Sequence, residues 1–269
     1  MKHVLKITAY TLRDQLRHKS VYVLFGISIL FILLIRGCYD GRYTVNGRMV
    51  DNQAIAWHVS KTVFHLIAGG MYLMAAMISM KLFSRDREDG SMVLFLSRSV
   101  FRREYVLGRV TGTWLLCLVF MLLLHLTIFL TAWSKTGTFI PAYPVASLVV
   151  SINLLFVIAC VSLLSLFMPD FISAMFTMGI LLIGFISDGG HRILTSDLVR
   201  AAAPSMVDSE PALWRMLYPK VFMVQAYADS LLSNSPFHNM GSVHPILNIA
   251  IFILLIMVSV LAAFDRKEI

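Results

Sequence analysis

The stretch "SRDREDGSMVLFLSRSVFRREYVLGR", Ser84–Arg109, holds six arginines and four acids and stands between two long apolar runs. That contrast decides the fold. On either side, apolar residues fill whole windows instead of one face of each segment, which is the pattern of helices solvated by lipid. Across the 269 residues, 58% are hydrophobic and only 14% are charged, whereas a soluble domain carries about 25% charge. A crossing helix needs about 20 apolar residues, each adding about 1.5 Å against roughly 30 Å of hydrocarbon. The chain therefore reads as an all-α integral membrane protein forming a single domain over residues 1–269.

Working outward from the charged stretch, six spans are predicted: Ser20–Ile35, Val59–Phe83, Val106–Trp133, Tyr143–Met168, Asp170–Ile186 and His244–Phe264. The fourth and fifth are separated only by "MPD". Pro169 stops one helix and Asp170 suits the cap of the next, giving a tight hairpin. The first span is followed by Arg36, Gly37, Cys38 and Tyr39 with no small-residue cleavage site, so it is expected to stay as an anchor. Cys117 and Cys160 fall inside apolar runs and imply no disulfide framework. Cys38, near a membrane edge, is read as a free thiol or a link across a dimer.

The basic residues set the orientation. Residues 1–19, the charged loop with Lys81, and the tail hold 5, 7 and 2 of the 23 lysines and arginines. Of the remainder, four lie in the long segment 188–243, and long loops count little in the positive-inside rule. Both termini are thus expected on the cytoplasmic side of the cell membrane, with residues 84–105 inside and 188–243 outside. The formal net charge of +8 then serves topology and lipid contact, and no nucleic-acid partner is expected.

Within residues 1–19, Lys2, Lys6, Arg13 and Arg17 share one narrow helical arc, beside a stripe of Leu5, Ala9, Leu12 and Leu16. Such a helix can lie in the interface with its leucines dipping inward. The segment 188–243 carries Pro204, Pro211, Pro219 and Pro236 and the amphipathic "ALWRMLYPKVFMVQAYADSLL". It is too polar for another crossing, and short helices on the outer surface or capping the bundle are expected.

Several chemistries are excluded by pattern. There is no G-x-x-x-x-G-K-[ST], no H-E-x-x-H and no paired C-x-x-C, so neither ATP binding of the P-loop kind nor a metal site is expected in this chain. "DREDG" begins like the metal motif of membrane CDP-alcohol phosphotransferases, but Val93 and Leu94 follow and no aspartate occurs between Asp89 and Asp170, so the match fails. His65 and His125 lie inside spans, and intramembrane ionisable residues are functional candidates. Asn153, and the face of Ser173, Thr177, Ile180 and Gly184, read as inter-helix glue or as the lining of a pathway, as does the small-residue face Ala68, Ala75 and Ser79.

The charged stretch itself resembles the cytosolic loop in the membrane subunit of ABC type-2 transporters. Glu88, Gly90 and Ser91 fit E-x-G-[ST]; Arg102, Gly108 and Arg109 fit P-x-x-R-x-x-x-x-x-G-[KR], with Ser99 in place of the usual proline. "RREYVLGR" is similar to the branch linked to copper-enzyme maturation permeases. The resemblance implies a half-transporter whose short apolar insert, after Gly90, is a coupling helix docked on a separate ATPase subunit, with ATP and magnesium on that partner. It also implies a second permease copy or paralogue and no bond chemistry in this chain, with export the expected direction. Two other classes stay open from the residues alone: a membrane enzyme using His65 or His125, and an anchor that recruits a cytosolic partner.

Overall fold

A computed structural model describes residues 2–17, 19–36, 44–45, 48–49, 52–88, 90, 92, 100–137, 141–194, 218–237, 239 and 243–266. Cys38, Ser91, most of the apolar insert and residues 195–217 lie outside the described residues.

Apart from a two-residue antiparallel pairing of Thr44–Val45 with Arg48–Met49, the described chain is helical. In chain order the helices are α1 (Lys2–Leu16), α2 (Lys19–Arg36), α3 (Asn52–Ser79), α4 (Ser84–Glu88), α5 (Arg102–Thr136), α6 (Ala142–Leu164), α7 (Asp170–Leu194), α8 (Val221–Ser233) and α9 (Pro245–Arg266). Five helical stretches are long and apolar enough to cross a membrane: Trp57–Glu88, Arg102–Ser134, Ala142–Leu164, Asp170–Leu194 and Pro245–Arg266. The first expected span coincides with α2, an 18-residue helix in which Val21–Leu30 is an apolar stretch among the described residues.

The helix ends follow local chemistry. Gly137 ends α5 at φ 66°, its N–H donating to the Trp133 carbonyl at 2.8 Å, a left-handed cap that a residue without Cβ adopts at no steric cost. Pro169 breaks the chain between α6 and α7, and α7 begins at Asp170. The Asp170 carboxylate accepts from the Ser84 hydroxyl at 2.5 Å, tying the α6–α7 turn to α4.

Several expected boundaries move: α3 begins at Asn52, ahead of Val59, and α6 ends at Leu164, short of Met168. Helix α7 runs on to Leu194, past Ile186. The extra turns carry a buried Asp188 that is salt-bridged to Lys220 at 3.0 Å, so protein groups compensate a charge that lipid would not. Helix α5 starts at Arg102, a turn before Val106.

Helix α6 sits at the centre, with 67% of its apolar window buried, whereas α9 has 11% and turns Leu247, Ile251, Leu254, Leu255 and Val258 outward. The core joins α3, α5, α6 and α8 through Phe64, Met71, Met121, Leu154, Ile158 and Val224. Of the two places expected for the helices of residues 188–243, on a surface or capping the bundle, the first is corrected for α8, which does not lie on a surface. Its Val221, Val224, Ala228 and Leu232 are buried, and it packs against α6, α7, α9 and α3. At its start the Val221 carbonyl accepts from Asn153, which lies about 16 Å along α6 from Ala142 at about 1.5 Å per residue. Helix α8 thus dips into the bundle to roughly half its depth and returns.

One end of the bundle gathers α1, α4, the head of α5, the α6–α7 turn and the tail of α9. Phe83, Tyr105 and Phe264 pack there as tilted rings, with centroids 5.4–6.5 Å apart.

Candidate functional site

The residues of the opening stretch converge at this end. Arg109, about two turns into α5, is buried with 3% of its side chain exposed, and its Nη2 is paired with the Asp86 carboxylate on α4. The other Asp86 oxygen accepts from the Tyr105 hydroxyl. Arg109 Nη1 reaches Asp14 of α1 at 3.7 Å and the Thr11 hydroxyl at 3.5 Å. One guanidinium therefore links the helix that leads into the charged loop, the helix that leaves it, and the N-terminal helix. A buried charge held this way is costly to leave unpaired, so these elements are forced to move together.

Gly108 serves the same junction by absence. A Cβ there would sit 2.7 Å from Ile7 Cβ, and one at Gly112 would sit 2.7 Å from Thr11 Cβ. The G-x-x-x-G spacing lets two helix backbones approach closely. The seam closes with a contact between the Thr8 and Thr111 hydroxyls at 2.9 Å and a bond from Gln15 Nε2 to the Thr113 hydroxyl at 2.8 Å. The face of α1 against α5 is Ile7, Thr8, Thr11 and Gln15, not the leucine stripe; Leu5 and Leu16 stay exposed.

Glu88 is exposed at the end of α4. Gly90 follows at φ 66°, a left-handed conformation that L side chains resist. Ser91 lies outside the described residues. Arg102 donates from Nη1 to the Asp265 carbonyl at 3.1 Å, and Arg103 Nε meets the Asp265 carboxylate at 3.5 Å. The exit of the loop is thereby tied to the tail of α9.

The polar residues inside the spans are satisfied by neighbours. His125 is buried and stacked on Phe64, centroids 4.1 Å apart; its Nε2 faces the Phe64 carbonyl at 3.2 Å and its Nδ1 the Ser147 hydroxyl at 2.8 Å. A carbonyl only accepts, so the proton sits on Nε2 and Nδ1 faces the Ser147 hydroxyl, which also lies 3.0 Å from the Tyr143 carbonyl. His65 is engaged on both nitrogens too, by the Asp229 carboxylate at 3.1 Å and Gln225 Nε2 at 2.9 Å. Asn153 donates to the Tyr72 hydroxyl and the Val221 carbonyl, both at 3.0 Å, and so pins α3, α6 and α8 together. Ser173 and Thr177 are fully buried and bond back to their own helix. Their packed face continues through Leu181, Gly184 and Asp188, while Ile180 points outward at 39% exposure. Ala68, Ala75 and Ser79 are fully buried. Among the described residues no group of three or more His, Cys, Asp or Glu is placed to hold a metal ion.

Sequence reading missed the charged pairs made by α8. Lys61 Nζ meets Asp229 at 3.0 Å, and Lys220 meets Asp188 at the same distance beside the ring of Tyr218. Burial alone would raise the Asp229 carboxyl; the hydrogen bonds from His65 and Lys61 outweigh it and hold the group below the usual carboxylate range. The partners are more than 30 residues apart in both pairs, and the only sequence signal was an isolated charge within an apolar window.

In comparisons with known proteins, no family model and no curated protein matches the chain.

Proposed function

We propose that this chain is the membrane-spanning permease subunit of an ABC-type transporter, driven by a separate ATPase and paired with a second permease copy or paralogue. The observation that carries the reading is the Arg109–Asp86 junction. A force delivered to the loop between α4 and α5 reaches α5 through Arg109, α1 through Asp14 and Thr11, and α9 through Asp265. A solvated topological loop has no need of a buried ion pair and a glycine-tight seam at its root. The satisfied rings of His65 and His125 favour packing over acid–base chemistry, and ATP and magnesium belong on the partner.

In this reading α2 is the first of six spans, both termini and the charged loop face the cytoplasm, and α8 is a re-entrant element on the opposite side. Non-spanning helices at membrane depth are tolerated where protein surrounds them, and α8 is surrounded on four sides. The motion is a rocking of spans for export. The test of function is substrate-stimulated ATP hydrolysis by the chain reconstituted with its ATPase. Stimulation in wild type that is lost in Gly90→Val and Arg102→Ala supports the reading. Equal stimulation in all three, with normal insertion, contradicts it. Orientation is tested separately by single cysteines at Ser97→Cys and Ser209→Cys in a background lacking the native three; they should label from opposite sides of the membrane.

A further inference from the structure

Helix α1 is fixed lengthwise on the start of α5, and the register shows which way it points. A Cβ at Gly108 would meet Ile7 and one at Gly112 would meet Thr11. Thr8 faces Thr111, and Gln15 donates to Thr113. The contacts advance together on both helices, so α1 runs beside α5 in the same direction, with its Lys2 end toward Phe101.

That part of α5 stands at and beyond the edge of the hydrocarbon. The stretch Arg102–Ser134 has 33 residues, about 50 Å at about 1.5 Å per residue. A bilayer offers roughly 30 Å of hydrocarbon and about 40–45 Å with its headgroups. The large apolar side chains that α5 exposes run from Val119 to Trp133. With Trp133 at one interface, where tryptophan is enriched, roughly 30 Å of hydrocarbon ends near Thr113. Gly108, where Ile7 packs, is then about 8 Å further out and Leu5 about 10 Å, at about 1.5 Å per residue. The headgroup layer is only roughly 5–8 Å thick. A helix standing this way lays no face in a leaflet, in contrast to the in-plane position expected from its sequence.

Away from α5, the helix exposes Leu5 at 67%, Tyr10 at 43% and Leu16 at 39%, with Ala9 between them. Leu5, Ala9, Leu12 and Leu16 recur at the spacing by which an amphipathic helix fills an apolar groove. Lys6, Arg13 and Arg17 are exposed along one flank of that stripe, and the one acid of α1, Asp14, is turned to Arg109. Apolar anchors flanked by cations fit a groove with an apolar floor and an acidic rim. Arg109 joins α1 to Asp86 at the root of the charged loop, so a partner seated on that loop borders α1.

We infer that the outward face of α1 docks in an acidic, apolar-floored groove of a cytosolic protein, the separate ATPase of the permease reading. The partner's identity rests on that reading; the exclusion of lipid rests on how α1 stands along α5. Leu5, Ala9 and Leu16 enter the groove, and Lys6, Arg13 and Arg17 meet its rim. The ATPase then grips both the loop and the helix that Arg109 ties to it.

The experiment uses the full chain in lipid nanodiscs and the P-loop ATPase recovered with it from its native membranes. Spin labels are placed singly at Leu5→Cys, Ala9→Cys and, as a lipid reference, Leu126→Cys, in a background lacking the native three cysteines. Without ATPase, the first two should collide with a water-soluble nickel chelate and the third with oxygen. Added ATPase should abolish most chelate collisions at Leu5 and Ala9. A label that itself blocks binding, with wild type still binding, places its site in the groove. Arg13→Glu with Arg17→Glu, at exposed positions, should weaken ATPase binding by about tenfold or more without moving the melting temperature. Labels at Leu5 and Ala9 that favour oxygen as Leu126 does would overturn the inference by laying α1 in the leaflet. So would an ATPase that binds while both labels keep their chelate collisions, or that binds the charge-reversed variant equally; the permease reading survives either result. An ATPase that binds none of these chains overturns that reading, and the assigned partner with it.

Discussion

Replacing Asp86 by alanine strips the buried Arg109 of its nearest carboxylate and Tyr105 of its acceptor. The pair is almost fully enclosed, with side-chain exposures of 3% and 6%. Removing one member of such a pair costs about 3–5 kcal/mol, because the survivor stays buried and uncompensated. Asp14, at 3.7 Å and one-quarter exposed, offers a second carboxylate that reduces the cost toward the lower figure. For a chain of this size that is a fall in melting temperature of roughly 6–20 °C, at about 2–4 °C per kcal/mol. The double variant Asp86→Leu with Arg109→Met removes both charges, and such replacements are commonly neutral or stabilising. It should recover most of the loss, more so with Tyr105→Phe. Cys117 and Cys160 are buried free thiols, so in a Cys38→Ser background a thiol-reactive fluorophore reads unfolding directly. A penalty under about 1 kcal/mol for Asp86→Ala, the value of an exposed pair, would refute the junction. So would a double variant no more stable than the single one.

Gly108→Ala places a Cβ 2.7 Å from Ile7; overpacking of this kind costs about 1–3 kcal/mol, and protease cleavage after α1 should accelerate, whereas Gly26→Ala, in open space, should change nothing. Gly90→Val forces a branched side chain to φ 66° at a cost of about 1–2 kcal/mol, and should reduce ATPase coupling more than it reduces melting temperature. Asp229, held below its ordinary value by His65 and Lys61, stabilises the fold above its unfolded pKa of about 3.9. That contribution is lost as pH falls through the lower folded value. Acid titration from about pH 5 downward should therefore destabilise wild type more steeply than Asp229→Asn.

Composition and periodicity made the helical membrane class legible, because lipid demands apolar residues all round a helix and few other settings do. The turn at Pro169 and the positive φ at Gly90 were legible for similar reasons: each residue type has one strong backbone preference. The place of α8 was not. Its sequence is apolar enough to be buried but short enough to be interfacial, and only the tertiary partners Asn153, Asp188 and Lys61 decide between the two. The roles of Gly108 and Arg109 were half legible. The motif singled them out, but their contacts are with Ile7, Asp14 and Asp86. The Asp86 link lies within the stretch itself, whereas those to Ile7 and Asp14 join residues some hundred positions away, and local pattern carries no register for such a pairing.

The central claim is that this chain transmits the work of a separate ATPase. Its most direct test is isolation of the tagged full chain from its native membranes in mild detergent, with wild type and Arg102→Ala run in parallel. The account predicts that a P-loop ATPase co-purifies in stoichiometric amount with wild type and is depleted with Arg102→Ala, while both chains insert equally. Recovery of the intact chain with no ATPase would contradict it.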